Sequence, residues 1–384
     1  MTWETVSLGD LVRPVSGRAG SEELPVYSVT KHAGFVPSRE YFKKQVFSSD
    51  LTTYKVVDAG QFAYATIHLD EGSIGIAPER CVISPMYTVF SVDPVRVHAP
   101  YLLRYLKSPT GLAEYPRLGR GTAERRKSIG LDALGRIRLV IPPLAEQRRI
   151  AAILDEADVL RAANSDRERR LRASTESALA TLLTATSTDS LLGDLVIRID
   201  SGSSPICEPR AAGNGEWGVL KLGAVTTGTF KPQENKAVTP GYVPNSNHEV
   251  RPGDLLLSRK NTLEHVGASV YVESTPDRLL LPDLVFRLVL RDPRLTRVLQ
   301  AFLTLSSTRA NLSSLAGGSA SSMANISKER LRTIKVPNWA PSTIEAATRI
   351  LESTGTMLGL IARSASGHDD LFASLQYRAF RGEL

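Results

Sequence analysis

IPPLAEQRRIAAILDEADVLR, residues 141–161, decides the architecture. Proline fixes φ and lacks an N–H, so Pro142 and Pro143 end whatever precedes them and suit the first turn of a helix. Beyond them Ile150, Ile153, Ala157, Leu160, Asn164, Arg167, Leu171, Ser174, Ala178 and Leu182 recur every three or four residues. That spacing is a narrow seam, the mark of a helix paired with another helix. A helix of about forty residues rises about 60 Å at 1.5 Å per residue, too long for one globule to cover. A partner must exist elsewhere in the chain. The proline step recurs at Pro337 and Pro341, and Ile344, Ala347, Leu351, Thr354, Leu358, Ile361, Ala365, His368, Phe372, Leu375 and Ala379 repeat the seam.

The chain is also duplicated. LGDLV occurs at 8–12 and at 192–196, VDAGQFAYA (57–65) answers VRPGDLLLS (250–258), and Gly60 answers Gly253. YLLRYLKSPTG from Tyr101 answers VLQAFLTLSST from Val298, and Ile129, Leu134 and Ile137 answer Ile326, Leu331 and Ile334. The offset drifts slowly along the chain, as loop insertions make it do in a duplicated unit. Two copies of a globule-plus-helix unit related by a pseudo-twofold axis bring their helices together head to tail. The expected fold is therefore α+β: a globule at 1–142, a central helix at 143–187, a second globule at 188–339 and a C-terminal helix at 340–384, the helices pairing as an antiparallel coiled coil. Asn164, Arg167 and His368 are polar seam positions able to fix register at some cost in stability. Each globule is expected to carry its apolar runs QFAYA, DLLLS, YTVFSV and LVFRLVL as core strands, with a helix around 99–114 or 295–310.

Composition sets the class. The 384 residues suffice for two or three domains, and 42% hydrophobic with 23% charged residues is ordinary for a globular protein. No apolar stretch approaches the roughly 20 residues of a membrane helix, and MTWETVSLGD shows no leader pattern, so a cytoplasmic protein is expected. Cys81 and Cys207 stand far apart without metal-ligand spacing, which points to free buried thiols. The net charge of +7 is uneven: each globule carries +4, while the two helical segments together carry −1. An acidic partner would meet the globules.

IPPLAEQRRIAAILDEAD resembles the helix start of the specificity subunit of Type I restriction-modification systems: a proline pair, an apolar residue, then Glu-Gln, a basic residue and Ile. LFASLQYRAFRGEL (371–384) is similar to that family's ending. The resemblance spans the chain. It implies two target-recognition domains, one per half of a bipartite asymmetric site in double-stranded DNA, docking of modification (methyltransferase) subunits, two of them, and of restriction subunits through the complex, and no catalysis by this chain. The second copy departs from the pattern: VPNWAPSTIEAATRIL puts Asn338-Trp339 between the prolines and lacks Glu-Gln, so that helix start is expected to pack differently.

Motifs of independent chemistry are missing from the sequence. There is no Gly-x-x-x-x-Gly-Lys-Ser/Thr phosphate loop, and Gly119-x-Gly121 has Glu124 where a third glycine is needed. GGSAS (317–321) lacks the closing glycine of a nucleophile elbow, PDLVF (282–286) has no Glu-x-Lys in reach, and the six histidines show no metal spacing. Neither a cofactor nor a metal is expected. The alternative reading is a non-catalytic protein-binding scaffold with incidental basic charge.

DNA reading needs Lys, Arg and backbone amides at phosphates, and Arg, Asn and Gln at base edges. In the first globule RLGRGTAERRKS offers Arg117, Arg120, Arg125, Arg126 and Lys127, and YSVTKHAGF offers Lys31 and His32. In the second, LAGGSASSMANIS occupies the matching place with Ser319, Ser321 and Asn325, and Lys221, Arg259, Lys260 and Asn261 complete the set. Different loop chemistry on one repeated scaffold implies two different half-sites. Helix length would set their separation, so adding a heptad to both helices is expected to lengthen the unread spacer.

Overall fold

The computed structural model describes residues 3–67, 69–119, 128–185, 190–317 and 323–384. The chain forms two compact units, residues 1–165 with 362–384, and residues 166–361.

In the first unit a four-stranded antiparallel sheet runs Val12–Pro14, Tyr87–Val92, Phe62–Ala65, Ile74–Ile76. In the second, the order is Val196–Ser201, Val285–Leu290, Leu255–Ser258, Ser269–Tyr271. The sheets share one topology, and the apolar runs read as core strands are their middle strands. Phe62 and Phe90 stack at 4.9 Å in the first, and Leu255, Leu257 and Phe286 are fully or almost fully buried in the second. Gly60 (φ +84°) and Gly253 (φ +94°) take the left-handed conformation that glycine adopts without strain. Their N–H groups bond Ala77 O at 2.9 Å and Val272 O at 2.8 Å, so the two matched glycines build the same turn into the same strand.

Smaller sheets repeat as well. A parallel step joins Val26 to Val82 in one unit and Gly218 to Leu279 in the other. Glu4–Ser7 pairs with Arg138–Ile141, and Ser190–Leu191 with Lys335–Val336. The single helix expected at 99–114 is two, Ala99–Leu106 and Pro109–Leu118; its counterpart is Leu295–Thr304 and Ser306–Ser314. The first break has a local cause. Ser108 Oγ accepts from Gly111 N–H at 3.1 Å, capping the second helix, and Gly111 lies so close to Tyr105 O that a side chain there would collide.

The central helix is Leu144–Thr184 and the C-terminal helix Pro341–Ala379. They pair antiparallel within each unit. In the first, Ile150, Ala151 and Leu154 share a core with Ala379, Phe372 and Leu375. Farther along, Arg161 Nε bonds Asp369 at 2.6 Å while its guanidinium lies 4.5 Å from the Phe372 ring, and Asn164 Nδ2 sits 2.9 Å from His368 Nδ1. In the second unit Thr175 and Thr354 hydroxyls meet at 2.9 Å, and Leu179 and Leu183 share a core with Ala347.

The seam of the C-terminal helix holds at every expected position, each buried or half-buried. That of the central helix is corrected. Leu160, Arg167, Ser174 and Ala178 are exposed, whereas Ile150, Ile153, Ala157, Asn164, Leu171 and Leu182 are buried or half-buried as expected; the continuous covered row runs Ile150, Leu154, Ala157, Arg161, Asn164, Glu168, Leu171, Thr175, Leu179 and Leu183. Nine steps over 33 residues average about 3.7, close to the 3.6 of a straight helix rather than the 3.5 of a heptad seam. Arg167 is therefore no register residue, whereas Asn164, 2% exposed, is.

The two helix starts are built from different parts. Gln147 is fully buried; its Oε1 accepts His98 N–H at 2.8 Å and its Nε2 donates to Arg96 O and Pro142 O, both at 2.9 Å. The second start has Ile344 packed against the core and Trp339 buried edge-on to Phe302, with Nε1–H donating to Leu183 O at 3.0 Å. Trp339 thus satisfies a carbonyl left open in the last turn of the central helix. Cys81 is buried and free, its thiol pushed up to about 12 by burial; Cys207 is also free but only half-buried.

Candidate nucleic-acid interface

One corner repeats in both units and collects much of the proposed chemistry. Register aligns the central strand pairs through Tyr64↔Thr88 and Leu257↔Phe286. Two residues after Tyr64 comes Thr66, and two after Leu257 comes Arg259. Each carbonyl accepts one bond from one of two residues matched by the duplication: Ile129 N–H to Thr66 O at 2.9 Å, Ile326 N–H to Arg259 O at 3.0 Å. The hydrogen bond is common and the side chains differ. Thr66 Oγ1 lies 3.2 Å from Thr88 Oγ1 and donates to Met86 O at 2.9 Å, whereas the Arg259 guanidinium lies 5.4 Å from the Phe286 ring centre. Buried Tyr64 holds the first corner by donating to Ile129 O at 2.9 Å; burial raises its hydroxyl pKa to about 12, so it stays a donor.

In the second unit, residues far apart in sequence meet here. Lys260 pairs with Asn325 and Asn261 with Ala324 in a short antiparallel ladder. Arg259 Nε donates to Asn325 Oδ1 at 3.3 Å, and Asn261 Nδ2 to Ser258 Oγ at 3.3 Å. Arg259, Lys260, Asn261 and Asn325, all half-buried, thus form one cluster of cationic and amide groups. Lys221 stands elsewhere and is partly neutralised, its Nζ 3.3 Å from Glu234 Oε2.

In the first unit Lys31 and His32 occupy the exposed turn between Tyr27–Thr30 and Gly34–Pro37. Lys107 anchors that turn by donating to Lys31 O at 3.0 Å, and burial lowers its pKa. His32 borders a hollow of about 290 Å³ with Phe35, Gly75, Pro78 and Leu103. Arg117 is exposed in the last turn of Pro109–Leu118. Arg120, Arg125, Arg126, Lys127, Ser319 and Ser321 lie outside the described residues.

Sequence reasoning missed four parts. Thr66 and Thr88 follow from extending the FAYA–LLLS alignment by one residue and from strand register. Lys328 lies with Nζ 5.8 Å from the Phe286 ring. In the first unit, exposed Arg39, Lys43 and Lys44 interleave with Tyr41 and Phe42, and Arg39 lies 5.8 Å from the Phe47 ring; basic residues among aromatics were the available signal. Among the described residues no His, Cys, Asp and Glu group is arranged to hold a metal, and no helix is long and apolar enough to cross a membrane.

Structural comparison decides the architecture. A chain from a structure on "complex assembly and conformational transition of the type I R-M system" superposes with a TM-score of 0.61 at 15% identity, over 100% of this chain and 98% of that one. The Type-I restriction-modification system S subunit from M. genitalium superposes at 0.52 and 14% identity, over 99% and 96%. The fold is that of a Type I S subunit. In sequence, 147 residues are 33% identical to the Type I restriction enzyme EcoEI specificity subunit of Escherichia coli. That match covers 38% of this chain and 25% of the relative's length. No family model matches. The likeness to Type I specificity subunits read from the proline-to-helix motif is borne out, as is the fold class. The S-subunit architecture also accounts for the paired long helices and the duplicated sheets.

Proposed function

We propose that this chain is the sequence-reading specificity subunit of a Type I restriction-modification complex. Each unit reads one half of a bipartite, asymmetric duplex site, and modification and restriction subunits assembled with the chain supply the chemistry. The observation that carries this reading is the repeated corner: one backbone hydrogen bond, closed by Ile129 or Ile326, presents Thr66 in one unit and Arg259 in the other. A scaffold held constant while its presented side chains diverge is what reading two unlike half-sites requires. The +4 charge on each globule suits a polyanion. The candidate residues divide by chemistry. Lys31, His32, Arg117, Arg120, Arg125, Arg126, Lys127 and Lys221 suit phosphates; Arg259, Lys260, Asn261, Ser319, Ser321 and Asn325 suit base edges as well.

The test is binding of the full chain to random-sequence duplex across salt concentration. A linear fall of log K with log[salt] is expected, since bound cations release counterions. Absence of salt-dependent binding would favour a scaffold for protein partners.

A further inference from the structure

The second unit gathers two cations at one aromatic ring without giving either a carboxylate. Arg259 and Lys328 lie 5.4 and 5.8 Å from the centre of the Phe286 ring, itself 1% exposed. Among the described residues neither is within ion-pair distance of an acid. Asp283 accepts from Arg259 only through its backbone carbonyl, at 3.5 Å, while its carboxylate takes the Ser204 hydroxyl. Glu329, beside Lys328 in sequence, is bonded to its own backbone and to Ser327, which chiefly lower its pKa; the Lys328 and Arg332 charges add smaller electrostatic pulls, and Lys328 makes no ion pair with it. The three acids bordering the neighbouring polar hollow are engaged too: Asp254 with Arg287 at 3.0 Å, Asp200 with Arg198 at 3.1 Å, and Glu249 with the Arg278 N–H at 2.9 Å. Two half-buried cations drawn to one ring repel each other, and the ring's negative face offsets only part of that. An anion at this corner would complete the arrangement.

We infer that Arg259 and Lys328 form a backbone-phosphate seat, taking the phosphodiester of duplex DNA beside the base-reading cluster of Lys260, Asn261 and Asn325. The assignment rests on the DNA-reading function proposed above. It belongs to one half of the protein. By register and by the matched Ile129–Ile326 and Leu134–Leu331 positions, the first unit has Thr66, Thr88 and Leu131 where the second has Arg259, Phe286 and Lys328. The seat therefore fixes the second unit on its half-site by a contact that the first lacks.

The test is the salt dependence of duplex binding by full-length wild type, Lys328→Gln, Arg259→Gln and the double variant, with folding checked by circular dichroism. Each lost phosphate contact lowers the slope of log K against log[salt] by about 0.9, and the double variant by about 1.8. Between 50 and 200 mM salt the affinity deficit of each single variant then shrinks about 3.5-fold. A steep wild-type slope left unchanged in all three variants overturns the seat while the DNA-reading function stands. Wild type without salt-dependent binding overturns both. Calorimetry with inorganic phosphate separates the source of the anion: loss of phosphate binding in Lys328→Gln with an intact duplex slope assigns the corner to a free anion and refutes the DNA contact.

Discussion

Replacing Gln147 by Leu tests how the first unit grips the central helix. Gln147 has no exposed surface, and its amide makes three hydrogen bonds, to His98 N–H, Arg96 O and Pro142 O. Leucine fills most of the space and leaves one donor and two acceptors without partners. An orphaned buried group costs about 1–3 kcal/mol. Arg96 and His98 are half-buried and regain some water, so the low end applies and the sum is about 3 kcal/mol. That lowers the folded-to-unfolded ratio about 150-fold. With a urea dependence of about 2 kcal/mol per molar, the first unit's midpoint falls by about 1.5 M. Amide hydrogen exchange read by mass spectrometry locates the effect: peptides covering 96–106 and 144–154 exchange faster, while those of residues 190–317 are unchanged. Gln147→Glu adds a sign. The glutamate retains the acceptor for His98 but faces two carbonyls, so its folded pKa rises above the usual value of about 4.3. Its stabilising protonated form is fully present below the unfolded pKa and lost as pH rises through the folded one, so this variant recovers stability on acidification. A Gln147→Leu midpoint within about 0.3 M of wild type would refute the bracing role.

Trp339→Phe retains packing on Phe302 but loses the bond to Leu183 O, costing about 1 kcal/mol in urea unfolding of the second unit; Trp339→Ala adds a cavity and costs about 3–5 kcal/mol. Equal effects of the two substitutions would show that packing contributes nothing. Glu216 is held down to about 2, first by its hydrogen bond with Arg210 and then by Gly213 N–H. Its stabilising contribution is therefore present above the ordinary glutamate range and lost as pH falls toward about 2, and carboxyl titration by NMR should show this midpoint in wild type and a higher one in Arg210→Ala, still below the ordinary range because the Gly213 N–H bond remains. Arg125/Arg126/Lys127→Ala should flatten the salt slope of duplex binding by up to about 2.7 if all three touch phosphates; an unchanged slope removes that loop from the DNA.

The sequence made the architecture legible because long periodic helices and a duplicated pattern are signals spread over many residues. The proline steps located both helix starts, and Gly60 and Gly253 marked the same turn in both copies. The central seam was misread at Leu160, Arg167, Ser174 and Ala178 because three- and four-residue steps are locally interchangeable; only packing shows that Thr175, not Ser174, faces the partner helix. Ser108 breaks the helix expected at 99–114 through a single cap and a close approach by Gly111, details too local for periodicity. The candidate site was legible in part. Arg259, Lys260, Asn261 and Asn325 were chosen by residue type, but their meeting depends on a two-residue ladder between segments separated in sequence by several strands and two helices. Lys328 was hidden because only the fold brings it to Phe286.

The central claim is that this chain chooses which DNA sequence is modified. The most direct measurement is single-molecule sequencing of genomic DNA from the native host with and without the gene, scoring methylated motifs. The account predicts loss of one bipartite motif with a fixed unread spacer, restored when the gene is returned. A strain that methylates such a motif and keeps methylating it after the gene is removed would contradict the account.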